Sequence, residues 1–112
     1  MATRRKARLE SLFLEEVGQI FMEQGRGWFG STLIAVSEVR FSPDLRNAKV
    51  FISLHGIAEQ KQLFQKIQDQ KGAIKKELGK KVRHQVRKMP ELEFVLDDSI
   101  DRAARIDELL KE

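Results

Sequence analysis

The sequence contains no cysteine. That excludes disulfides and thiolate metal sites and fits a reducing compartment, so a cytoplasmic protein is expected. No apolar run approaches the ~20 residues a membrane-spanning helix needs, and no membrane is expected as a partner. The opening MATRRKARLE is basic, but an amphipathic stretch with Glu15 and Glu16 follows it, where a secretory leader would need an uninterrupted apolar segment. Histidine is also scarce. His55 and His84 are the only two, and neither has a metal-type partner four residues on. No GxGxxG or P-loop pattern cradles a phosphate. Asp97-Asp98 reads as the start of a helix rather than as a carboxylate site. No catalytic residue, metal ligand or cofactor is therefore expected.

What the chain does contain is apolar residues and cations, unevenly placed. Its 112 residues are 41% hydrophobic, with seven Phe, enough for one folded domain over 1–112, of which residues 1–5 are expected to be flexible. The net charge of +4 hides a strong polarity. Residues 1–8 carry four cations and no acid. Residues 71–88 carry eight cations and one acid, a net +7, whereas residues 91–112 sum to −5. A basic surface of this kind calls for an anionic partner.

The stretch 71–88, KGAIKKELGKKVRHQVRK, concentrates that charge. Ile74, Leu78, Val82 and Val86 recur every four residues and make one stripe of a helix. Lys76, Lys80, Arg83 and Arg87 make a second stripe roughly opposite. One face is expected in the core and a row of cations outside it, spaced about 5–6 Å apart and suited to tracking phosphates. A merely solvated lysine face is the alternative, although such faces usually interleave acids.

Other elements follow from periodicity. Residues 4–24 read as a helix with Leu9, Leu12, Phe13, Val17, Ile20 and Phe21 inward, stopped by Gly25 and Gly27. GRGWFGS is a connector, with Trp28 and Phe29 either plugging the core or offered to bases. Residues 32–41 and 48–55 read as strands joined through Ser42-Pro43-Asp44 into an antiparallel hairpin. Residues 58–70 read as a helix, divided from the basic one by Gly72, with Lys71 and Lys75 at the joint. Met89-Pro90 ends the basic helix, 92–96 alternate as a third strand, and IDRAARIDELL forms a last short helix. The order is αββααβα, an α+β fold with helices layered on a small sheet. Phe13, Val17, Ile20, Ile52, Leu78, Val82 and Phe94 are expected in the core.

The pattern Val39-x-x-Ser42-Pro43-Asp44-Leu45-x-x-Ala48-Lys49-Val50-Phe51-Ile52-Ser53 resembles the hairpin signature of the ribosome-binding factor A family. So does Ile74-Lys75-Lys76-Glu77-Leu78-Gly79-x-x-Val82-Arg83, continuing through Pro90-Glu91-Leu92-x-Phe94, Asp98-Ser99 and Arg105-Ile106-x-x-Leu109-Leu110. Order and spacing agree from residue 9 onward. Where the family usually has Ala-x-Gly at its kink, this chain has Gln70-Lys71-Gly72. Where the family has Asp-Pro-Arg after the first helix, this chain has GRGWFG.

The resemblance implies a type II KH-like domain, αββααβ with a short C-terminal helix. It implies a non-catalytic assembly factor that binds the small (30S) ribosomal subunit and assists late 16S rRNA maturation. The implied partners are that subunit and its 16S rRNA, and the free protein is expected to be a monomer. Lys71, Gly72 and Lys75 would meet the nucleic acid at the kink. Lys76, Lys80, Arg83 and Arg87 would extend the contact, and Arg4, Arg5 and Arg8, with Lys6, would add an electrostatic arm. Two alternatives remain: a KH-like RNA binder acting off the ribosome, and a protein-interaction module docking through the acidic end and the basic helix.

Overall fold

The computed structural model describes residues 2–30, 34–54 and 59–97. Leu9, Phe13, Val17, Ile20 and Phe21 share one face and are all buried, so residues Ala2–Gln24 wind into α1 against the core. The chain does not open at Gly25. It continues as a π-helical turn, Gly25–Phe29, and terminates at Gly30. Gly30 has φ 71°, and its N–H donates to the carbonyl of Arg26 at 3.0 Å. A residue without Cβ adopts that left-handed cap at little cost, so Gly30 is the stop rather than Gly25 or Gly27. The extra turn buries Phe29 against Phe21, with ring centroids 5.8 Å apart. Trp28 packs half-buried on the edge of the same cluster, so this pair plugs the core.

Strands β1 (Ala35–Phe41) and β2 (Asn47–Ser53) form the expected antiparallel hairpin, with a register shift between Val36 and Glu38. Strand β3 (Glu91–Leu96) pairs parallel with β2, giving the order β1-β2-β3. Val39, Val50 and Phe94 line up across the sheet, as do Phe41, Ala48 and Leu92. All six are buried under the helices. Apart from Ala48, each such side chain contributes about 1.5–3 kcal/mol by leaving water. Glu10 on α1 accepts a hydrogen bond from the Phe41 N–H at 2.8 Å, and Phe13 meets Phe41 edge-on at 4.9 Å. Helix α1 is thus fastened to the end of β1.

Helix α2 (Gln60–Asp69) buries Leu63 and Ile67, and α3 (Lys71–Val82) buries Ile74, Leu78 and Val82. The break between them is Gln70 (φ −99°, ψ 14°), not Gly72. The Gln70 N–H closes α2 on the carbonyls of Lys66 and Ile67, and its carbonyl starts α3 by accepting from Ile74. Gly72 falls inside the first turn of α3, where a Cβ would meet nothing within 4 Å.

A second correction concerns the end of α3, which stops at Val82 rather than at Met89-Pro90. A tight turn follows, with Gln85 N–H donating to the Val82 carbonyl at 2.8 Å. The cause is the parallel third strand. Glu91 must lie opposite Asn47, at the start of β2, so residues 83–90 run back along α3, bringing Met89 beside Gly79. Val86 remains partly buried from that non-helical segment.

The seven expected core residues are all buried. The element order over the described residues is αββααβ. The proposed last helix and His55 lie outside the described residues.

Candidate nucleic-acid interface

Helix α3 has one face in the core and one in water. Ile74, Leu78 and Val82 have no solvent exposure, so the rotation of the helix is fixed. Lys76, Lys80 and Arg83 then face out together, Arg83 at the C-terminal boundary. Lys80 touches Glu77, Nζ to Oε1 3.3 Å, and the Arg83 Nε donates to the Nε2 of exposed His84 at 3.4 Å. Lys76 is exposed and makes no ion pair among the described residues. Exposed pairs such as Lys80–Glu77 are weak, so all three cations remain available to an anion.

The acids missing from the helix's own sequence come from its neighbours. Lys81 points at α1, 4.0 Å from Glu16 and 3.9 Å from Glu23. Lys75 reaches Glu91 at the start of β3, Nζ to Oε1 3.0 Å. The hydrogen bond and charge of Lys75 hold the Glu91 carboxyl below its usual 4.5, and Lys71 and Lys88 act in the same direction from further away. Lys75 is therefore an anchored cation, and Lys71 stands close by. At the kink, no side chain caps the N-terminus of α3 and no acid occupies its first turn. The amides opening the helix and Lys71 together give the kink a small positive potential beside the bare face of Gly72.

Not every cation singled out from sequence joins this face. Arg87 is off the helix, on the returning segment, and Arg4, Arg5 and Arg8 lie exposed on the first turns of α1. Arg87 and Arg5 instead line a second groove with Arg46 and Lys88. Arg46 is the residue that periodicity overlooked. It sits in the β1–β2 turn, where only knowledge of the strand pairing would bring it near residues 87–91. Asp97 accepts a hydrogen bond from Ser37 across the sheet. No group of three or more possible metal ligands occurs among the described residues.

A sequence model of the ribosome-binding factor A family matches residues 5–110. The chain belongs to the ribosome-binding factor A family. It is 40% identical over 110 residues to ribosome-binding factor A of Thermodesulfovibrio yellowstonii, covering 97% of this chain and 90% of that one. It is 34% identical to that of Cytophaga hutchinsonii, covering 98% and 83%. The fold is similar to the crystal structure of ribosome-binding factor A from Thermus thermophilus, with TM-score 0.68 at 22% identity, over 81% of this chain and 94% of that one. A homology model of the Thermus thermophilus factor, fitted into a cryo-EM map of a 30S complex, matches with TM-score 0.64 at 22% identity, over 81% and 93%. The KH-like α+β architecture read from the sequence is therefore the observed one. Its helix–kink–helix is α2–Gln70–α3. No helix among the described residues is long and apolar enough to cross a membrane.

Proposed function

We propose that this chain is a non-catalytic assembly factor that binds the small (30S) ribosomal subunit in the cytoplasm and assists late maturation of its 16S rRNA. It acts as a single RNA-binding domain over residues 1–112. The carrying observation is the α3 face itself: Lys76, Lys80 and Arg83 exposed on a helix whose opposite side is locked into the core. Family membership, and the relative fitted into a 30S complex, support the subunit as the partner. Lys71 and Gly72 at the kink would bring helix amides and a cation to the RNA backbone, while Lys75 braces them through Glu91. Phosphate contacts of this kind position a protein without reading sequence. Arg87 and Arg4, Arg5 and Arg8 contribute from outside the helix.

The mechanism is binding: purified protein should hydrolyse neither nucleotides nor RNA. The reading is tested by fractionating a cell lysate on a sucrose gradient and detecting the protein with an antibody. Co-migration with free small subunits, and absence from translating ribosomes, is the expected result. Migration only at the top of the gradient, with tight binding to free RNA, would instead favour an RNA binder acting off the ribosome.

A further inference from the structure

Beside the α3 face lies a groove of about 680 Å³, and none of its lining residues comes from α2 or α3. It is bordered by the first turns of α1, the β1–β2 turn and residues 86–91. These walls are tied to one another. Glu91 N–H donates to the Arg46 carbonyl at 2.8 Å, and Glu10 fastens α1 to Phe41. The volume lies within the ~300–1,000 Å³ of ordinary ligand sites.

Two kinds of residue meet there. Arg5, Arg46, Arg87 and Lys88 bring four exposed cations from three separate segments. The Arg46 side chain is 83% exposed and lies only 4.0 Å from Asp44 at its nearest. The two acids present are held by hydrogen bonds, Asp44 accepting from Ser42 Oγ at 2.7 Å and from the Arg46 N–H at 3.1 Å and Glu91 pairing with Lys75, so they offset only part of the charge of the four cations. Between the cations lie apolar side chains, among them Leu45, Val86 and Met89, all partly buried. Leu45 holds φ at 63°, a conformation unusual for a residue with a branched side chain. Asn or Gly would suit that backbone better, but either would remove the apolar side chain that packs there.

From this arrangement we infer that the groove is a second RNA site, which takes an unpaired strand, its phosphates on the Arg46–Arg87 rim and a base on the apolar surface beside Leu45 and Met89. Duplex RNA hides its base faces in the stack and would leave that surface unused, whereas every unpaired base offers a flat apolar face. The rim charge matches a polyanion. The inference goes beyond the α3 reading and uses no residue of that helix, though it shares with the proposed function Arg5, Arg87 and the premise that the partner is RNA.

The test measures fluorescence anisotropy of two labelled probes, an oligouridylate of about eight nucleotides and a fully paired RNA hairpin. R46Q/R87Q should weaken the oligouridylate about tenfold and lower its salt slope by up to about 1.4, and R46Q alone, at a residue outside the α3 reading, should weaken the oligouridylate while leaving the hairpin within about twofold. L45N, which suits the backbone of the turn, should weaken the oligouridylate alone while thermal melting shows the protein folded. K76Q/K80Q should do the reverse, weakening the hairpin. Unchanged oligouridylate binding by R46Q/R87Q and L45N would overturn the groove and leave the α3 reading standing. An unchanged hairpin with K76Q/K80Q would overturn the α3 reading alone. Tighter binding of an oligoglutamate peptide than of oligouridylate, lost in R46Q/R87Q, would overturn the RNA assignment in favour of a protein partner.

Discussion

Lys75 Nζ lies 3.0 Å from Glu91 Oε1, joining the basic helix to the first residue of the strand that follows it. Glu91 is the acid at the centre of the basic end of the molecule, with Lys71, Lys75 and Lys88 around it. It restrains Lys75 and offsets part of the charge that would attract a phosphate.

E91Q is therefore expected to bind RNA more tightly than the parent, measured at fixed salt, since it removes one negative charge and frees Lys75. The same pair predicts a pH effect. The hydrogen bond and charge of Lys75 depress the carboxyl's folded-state pKa below 4.5. The contribution is present above the unfolded value and is lost as pH falls through the folded one. Between about pH 6 and about pH 3, the melting temperature of the parent should fall further than that of E91Q.

Leu78 is completely buried at the middle of α3. L78A should cost about 2–5 kcal/mol in denaturant unfolding, through lost burial and the cavity left behind. Retention of full stability would mean that α3 does not have the rotation on which the exposed cation face depends.

Gly72 separates structure from function most cleanly. Its missing Cβ faces open space, so G72A should fold and gain about 0.4–1 kcal/mol from reduced freedom of the unfolded chain. On the proposed reading, the new methyl would stand where the RNA backbone meets the kink. RNA affinity should fall although stability rises; a variant with both unchanged would remove Gly72 from the interface.

Much of this was legible because packing repeats. The buried face of α1 follows from Leu9 to Phe21, and the alternation of Ala48, Val50, Ile52 and Leu54 marks β2 unambiguously. Val86 shows the limit. Its four-residue spacing from Val82 extends the helical pattern, yet it packs on the core from an irregular segment. Apolar spacing reports burial, not backbone conformation. The same limit hid the groove. Arg46 reads as an ordinary turn residue until β3 runs parallel to β2 and sets Glu91 opposite Asn47. The π-helical turn was masked for a related reason: glycines at 25 and 27 weaken a helix, but the burial of Phe29 keeps the chain winding.

The central claim is that the outward face of α3 binds RNA phosphates, and salt dependence tests it most directly. The variant changes Lys76, Lys80 and Arg83 together to Gln and leaves Ile74, Leu78 and Val82 untouched. Melting temperature should barely move, because exposed charges contribute little to folding. Affinity for the small subunit or for duplex rRNA should drop, and the slope of log affinity against log salt should become shallower by up to about 0.9 per lost contact. Binding as tight as the parent's with an unchanged slope would contradict the account and reduce the basic stripe to a solvated face.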